Sequence, residues 1–211
     1  FNIGKNQLTL RKVETKINNI KLKSPLIKIE EKNNIFFIDG KVINDQQNFD
    51  INKLKPMLGD LMNIIEIEKI DFSSVNIFSF NVNKNLKLND LKLETNLNLK
   101  NFKTVKNPYN LKAFLPNYTE KVKFKDHKIK IKLTKNILDI KGEGDIYIGG
   151  ELEKLSYKIN SSDARITFDT KLYITNNPLT INFLDHKKKK GNSSEVLLKG
   201  IYKKNKELIF K

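Results

Sequence analysis

Apolar and polar residues alternate along most of this chain with a period of two, the spacing of a strand that turns one face to an apolar environment and the other to water. Between residues 86 and 102 the apolar positions Leu91, Leu93, Leu97 and Leu99 are interleaved with Lys92, Glu94, Asn96 and Asn98. The same pattern sets Ile129, Ile131 and Leu133 against Lys128, Lys130 and Lys132, and it returns at Ile166, Phe168, Leu172 and Ile174. Leu179, Ile181 and Phe183 follow it, as do Val196, Leu198 and Tyr202. Turn-forming residues punctuate the runs at Asn33-Asn34, 83–85, Asn89-Asp90, Gly149-Gly150, 161–163, Asn176-Asn177-Pro178, Gly191-Asn192 and Asn205. Connections this short join antiparallel neighbours, because a parallel pair needs a crossover of about a dozen residues or more. The pattern predicts an all-β fold built as a long antiparallel meander, whose apolar face must be hidden by a second sheet, a helix or a ligand.

Two segments break the alternation. Ile51, Leu54, Leu58, Leu61, Met62 and Ile65 have helical spacing, with Pro56 acceptable in a first turn, and predict one short amphipathic helix near residues 54–64. Residues 107–118, where Pro108 and Pro116 bracket Leu111, Phe114 and Leu115, read as a packed loop or a single helical turn. No low-complexity linker divides residues 1–211, which read as a single segment. The chain opens at Phe1 without an initiator Met or a signal-peptide pattern, so it reads as a piece of a larger protein. The apolar run at 35–38 is far shorter than the roughly 18–20 residues of a membrane-spanning helix, so any membrane anchor is expected outside these residues.

Composition and charge refine this picture. A hydrophobic fraction of 38% points to a thin core. The formal net charge of +16, from 40 Lys plus Arg against 24 Asp plus Glu, raises an anionic partner. Arg11 and Arg165 are the only arginines and the basic residues are spread along the chain. That spread speaks against nucleic acid, whose bases and phosphates favour the planar arginine fork. Most lysines are expected to be solvated strand faces that discourage pairing with other chains. The lysines at 187–190, before Gly191 and Asn192, read as a hairpin tip and also as a contact for lipid phosphate.

Candidate chemistry is sparse. The chain has no cysteine, and its two histidines, His127 and His186, lie in Lys-rich stretches without a partner at ligand spacing and read as surface-loop residues. Glycine-rich nucleotide loops and a G-x-S-x-G elbow are missing. Asp139, Glu143 and Asp145 share one strand face, opposite Leu138, Ile140, Gly142, Gly144, Ile146 and Ile148, and so read as a solvated row rather than an acid–base pair or calcium site. Gly142 and Gly144 fall on the apolar side, where a missing side chain permits curvature or the close approach of a backbone or ligand. The expectation is a protein without catalysis, cofactor or metal.

The stretch 138–148, Leu-Asp-Ile-Lys-Gly-Glu-Gly-Asp-Ile-Tyr-Ile, resembles the glycine-spaced strand that recurs in the AsmA-like proteins of bacterial envelopes, in particular the YhdP and TamB type. Residues 166–174 with the following Asn176-Asn177-Pro178-Leu179 are similar to their strand and turn units, and 49–56 is similar to the short helix that punctuates their repeats. The resemblance covers most of the chain. It implies a long sheet bent into a groove or taco, a periplasmic location with an inner-membrane anchor elsewhere in the parent protein, and carriage of phospholipid between inner and outer membrane. On that reading acyl chains would lie on Leu91, Leu93, Leu97, Leu99, Ile129, Ile131, Leu133, Ile146, Ile148, Phe168, Leu172 and Ile174. The partners are then phospholipid acyl chains and envelope proteins, with no nucleic acid. The alternative is a structural or interaction β-sandwich of an envelope protein, in which the same residues are core and no lipid path exists.

Overall fold

A one-residue slip in a pleated strand sends every later side chain to the other face, so apolar positions that change from even to odd numbers need an extra residue absorbed by the backbone. The computed structural model describes residues 2–4, 6–17, 20–49, 66–106, 114–118, 121–162, 165–203 and 207–210, and it meets this need repeatedly. Its strands, numbered over the described residues, are β1 (Asn2–Gly4), β2 (Gln7–Ile17), β3 (Ile20–Lys32), β4 (Ile35–Phe49), β5 (Glu66–Asn83), β6 (Leu88–Lys106) and β7 (Lys123–Thr134). They continue as β8 (Ile137–Ile148), β9 (Glu151–Ser161), β10 (Arg165–Ile174), β11 (Leu179–Ile181), β12 (His186–Lys188), β13 (Ser194–Lys203) and β14 (Glu207–Phe210).

Twelve of these strands form one sheet in the order β1-β2-β3-β4-β5-β6-β7-β8-β9-β10-β13-β14, with each neighbour antiparallel. β11 and β12 make a separate two-stranded ladder. The sheet is elongated, groove-like and not closed into a barrel, with β1 and β14 as its two edges. This is the all-β antiparallel meander that the alternation predicts.

Paired insertions keep the apolar side consistent. In β2 the apolar row passes from Leu8 and Leu10 to Val13 across Lys12, whose φ is 54°, while in β3 it passes from Ser24 to Ile27 across Pro25. The register steps from Arg11–Leu26 to Val13–Ser24, so the two extra residues lie opposite each other. β6 and β7 repeat the device, stepping from Leu99–His127 to Asn101–Lys125 over Lys100 and Asp126. Asp126 has φ 50°, a left-handed conformation that costs about 1–2 kcal/mol for an L-residue. What offsets that cost is the retention of every later apolar side chain on the same face.

Directly opposed residues of an antiparallel ladder share a face. One row runs Phe78–Leu93–Leu133–Leu138, and a second runs Asn76–Thr95–Ile131–Ile140–Ile159–Phe168. The opposite side carries Asn96–Lys130–Lys141–Lys158–Asp169–Lys199. Every buried residue of the long sheet, among those described, projects from the first side, which is the sheltered face. The other is a lysine face.

At one end the sheltered face is covered by the chain itself. Leu115, Tyr118 and Leu179 close over Ile148 and Ile174, and the N–H of Thr180 donates to the carbonyl of Phe114. The cover is fastened by Glu153, 3% exposed, whose carboxylate accepts hydrogen bonds from the backbone N–H groups of Thr175 (2.8 Å), Asn176 (2.8 Å) and Asn177 (2.7 Å) and from the Asn177 amide (2.9 Å). Lys188 is buried and donates to the carbonyls of Thr175, Lys189 and Asn192, while Lys190 pairs with Glu151. The lysines at 187–190 therefore do not stand in solvent as one basic tip, because one of them is an internal strut.

Several expectations are corrected. Asn89-Asp90 lies inside β6 rather than at a turn, since the register runs from Asn81–Asn89 to Ser79–Lys92 and Asp90, at φ 52°, is the extra residue that moves the apolar row from Leu88 to Leu91. Strand β11 stops at Ile181 and Phe183 falls in the 3-10 turn Asn182–Leu184. The β7–β8 turn at Lys135-Asn136 carries φ 55° at Lys135 and no glycine or proline announced it. The helix expected near 54–64 lies outside the described residues, as do 107–113. Gly142 and Gly144 are on the apolar side as expected, but the space above them is filled from within. A Cβ on Gly142 would come 2.3 Å from the Tyr157 ring, and one on Gly144 would come 2.4 Å from the His127 ring and 2.6 Å from the His127 Cα.

The Gly144 contact includes backbone, which gives way less easily than the far end of the Tyr157 ring. Gly144→Ala is therefore expected to lower stability by about 1–3 kcal/mol in urea denaturation, and Gly142→Ala by less. Glu153→Ala, which strands three N–H groups, is expected to cost about 2–4 kcal/mol by the same measurement.

Candidate functional site

The twelve apolar residues picked out by alternation all project from the sheltered face, but they do not share one environment. Leu93 lies opposite Leu133 and Leu97 opposite Ile129. Ile131 and Phe168 belong to one row with Ile140 and Ile159 between them. Leu172 lies opposite Leu155 and Val196, and Ile146 opposite Phe124. Leu91, Leu93, Leu97, Leu99, Ile129, Ile131, Leu133, Ile146, Phe168 and Leu172 are all partly exposed. Ile148 and Ile174 are sealed in the cluster with Leu115, Tyr118 and Leu179, and Ile146 and Leu172 pack against its margin. Period-two spacing places a residue on a face and says nothing about what covers that face.

The open stretch is broader than the twelve. Phe78 and Phe80 stack with ring centroids 5.8 Å apart on β5, and Ile140, Leu155 and Ile159 extend the surface across β8 and β9. Leu155 and Ile159 stand at alternate positions around Tyr157, the same signal that identified their neighbours.

A polar band crosses the same side between β3 and β6. Ser24, Asn44, Ser74 and Thr95 are buried, and their hydrogen bonds are made within the protein. Ser24 Oγ donates to the Lys41 carbonyl (2.6 Å) and Asn44 Nδ2 to the Phe72 carbonyl (3.3 Å). Asn76 Nδ2 reaches the Val42 carbonyl and Ser74 Oγ, and Thr95 Oγ1 donates to Asn76 Oδ1 at 2.9 Å. Small satisfied side chains sit below the tips of their larger neighbours, so the band needs no guest to complete it. The row Phe78–Leu93–Leu133–Leu138 passes beside it and stays apolar.

His127 is 1% exposed within β7, not on a surface loop. The insertion at Asp126 turns it inward beneath Phe124 and Tyr157, whose ring centroids are 5.1 Å and 6.0 Å away. Its Nε2 lies 2.9 Å from the Asp145 carbonyl and therefore carries the proton, which leaves Nδ1 a buried acceptor without a partner among the described residues. Burial holds its pKa below 6.5, against the opposing pull of the Asp145 carbonyl and the Asp145 and Asp126 charges. Asp139, Glu143 and Asp145 occupy the lysine face, where Asp139 accepts from the Asn160 amide (2.6 Å) and Asp145 pairs with Lys154. Among the described residues no three side chains converge as metal ligands, and no helix is long and apolar enough to cross a membrane.

Comparison with protein-family models, with curated proteins and with solved structures returned no match.

A base whose folded pKa is depressed favours the unfolded chain as soon as the latter takes up a proton. His127 should therefore leave stability undiminished above pH 6.5 and reduce it progressively as pH falls below 6.5. Denaturation midpoints measured across that range should decline, and His127→Leu should flatten the decline between neutrality and the onset of carboxylate titration.

Proposed function

We propose that this chain is a non-enzymatic lipid-binding groove, a segment of a periplasmic AsmA-like protein that conducts phospholipid between inner and outer membrane. The observation that carries the reading is one apolar side, continuous across many strands of an unclosed sheet, whose side chains stay partly exposed from β5 to β10. Such a surface costs free energy in water unless something covers it. Strands lie about 4.8 Å apart, so an acyl chain of about 20 Å placed along the rows would cross roughly four of them. Each methylene it buries contributes about 0.8 kcal/mol. Successive rows of Leu, Ile and Phe offer nearly equivalent positions, a profile that favours holding a chain while letting it slide.

A protein segment mating with the same side is the competing reading, favoured by the way residues 114–118 already seal Ile148 and Ile174. Photo-crosslinkers at Leu93, Ile131 and Phe168 are expected to capture phospholipid, and those at Lys92 and Lys132 on the other face to capture little. Equal capture from both faces, or capture of protein alone, removes the lipid reading. Changing Leu93, Ile131 and Phe168 together to Asp should abolish lipid co-purification while leaving the β signature of far-ultraviolet circular dichroism unchanged.

A further inference from the structure

A depression lies on the lysine face, away from the apolar rows. It has a volume of about 710 Å³ and is lined by six lysines, Lys128, Lys130, Lys141, Lys158, Lys171 and Lys199, and by the carboxylates Glu143 and Asp169. That volume falls within the range of small-molecule sites.

The lysines at the centre of this depression stand without ion pairs among the described residues. At several places the ladder of this face opposes unlike charges: Glu94 faces Lys132, Lys132 faces Asp139, and Asp145 lies between Lys125 and Lys154. Like charges also meet where Lys16 faces Lys21 and where Lys69, Lys103 and Lys123 face one another, the middle one of these three being paired with Glu68. In the depression Lys130 lies directly opposite Lys141, and Lys141 directly opposite Lys158, on three consecutive strands. Like charges directly opposed weaken a sheet. The other basic groups at the rim are compensated, Lys171 by Glu195 (3.0 Å) and Lys199 by Asp169 (3.1 Å), and Lys128 faces Glu143 across the ladder. Lys130, Lys141 and Lys158 make no ion pair among the described residues.

We propose that Lys130, Lys141 and Lys158 form the centre of a binding site for a compact anion that carries two or more phosphate groups. Three ammonium groups one strand apart span about 10 Å, the reach of a short cluster of phosphates rather than of a single one. The three lysines are flanked in their row by the uncharged Asn96 on one side and on the other by Asp169, which is paired with Lys199, so the row offers no unbroken run of cations to a long polyanion such as a nucleic acid strand. Lysine suits the task, because its compact ammonium binds phosphate as a point charge without the fork geometry of arginine. Glu143 at the edge opposes the anion and confines it to the lysine row. The site is independent of the apolar rows, which project from the opposite face.

Titration calorimetry with tripolyphosphate at low ionic strength tests the assignment. Saturable binding is expected, weakened about a hundredfold in the triple variant Lys130→Gln, Lys141→Gln, Lys158→Gln and about tenfold in Lys141→Gln alone. Lys84→Gln, Lys87→Gln, Lys92→Gln, the same charge change elsewhere, should leave it intact. Because the substitutions relieve repulsion, the triple variant should be at least as stable as the parent in urea, which separates loss of the site from loss of the fold. Phosphatidylcholine vesicles containing phosphatidylinositol bisphosphate form a second arm. Binding to them but not to tripolyphosphate, again lost in the triple variant, would place the phosphates on a lipid headgroup and uphold the site. No binding in either arm, equal weakening by the control variant, or oligonucleotide affinity that climbs with strand length would overturn it.

Discussion

Everything in this fold follows from the parity of the β-ladder. Side chains in a strand can point only two ways, and opposed residues on neighbouring strands must point the same way. A twelve-stranded sheet with one apolar side therefore needs agreement between strands that are far apart in sequence. The chain secures that agreement locally, by pairing an extra residue in one strand with an extra residue in the next, as at Lys12 with Pro25 and Lys100 with Asp126. Left-handed backbone at Lys12, Asp90 and Asp126 is the strain this produces. It is tolerated because the alternative is an apolar row turned into water.

Parity also explains why the two faces differ so sharply in chemistry. One side gathers aliphatic and aromatic side chains with a few small polar groups that satisfy one another. The opposite side gathers most of the strand lysines, some set against carboxylates and others against one another. The closure of the apolar side around Ile148 and Ile174 depends on polar anchors: Glu153 and the buried Lys188 hold backbone amides and carbonyls of the crossing segment, and Leu115, Tyr118 and Leu179 then fill the gap. A buried charge is acceptable there because backbone groups surround it.

The alternation of Leu91 to Leu99 and of Ile129 to Leu133 was enough to assign strand, face and antiparallel order, since these are local consequences of side-chain spacing. The strand insertions were harder to see. Asn89-Asp90 carries the same residue types as a turn, and only the register with β5 distinguishes a bulge from a reversal. Coverage was invisible for a different reason: Ile148 and Ile174 obey the same alternation as Ile146 and Leu172, and what buries them is the segment 114–118, distant in sequence. His127 was misplaced because its Lys-rich surroundings describe the other face of its own strand. The lysine row at 130, 141 and 158 could not be read at all from spacing, because it exists only once three strands are in register.

Apart from the step from β10 to β13, each strand of the long sheet pairs with the strand next to it in the chain. Its cohesion is therefore close to one-dimensional, a sum of nearest-neighbour ladders rather than a single knot of distant contacts. Assembly of such an array needs mostly short closures, the longer ones lying between β4 and β5, β6 and β7, and β10 and β13, and it can start at any tight hairpin. Loss of order is local for the same reason: one ladder can open while strands two or more removed from it keep their partners, so protection of the backbone varies along the array instead of vanishing at once.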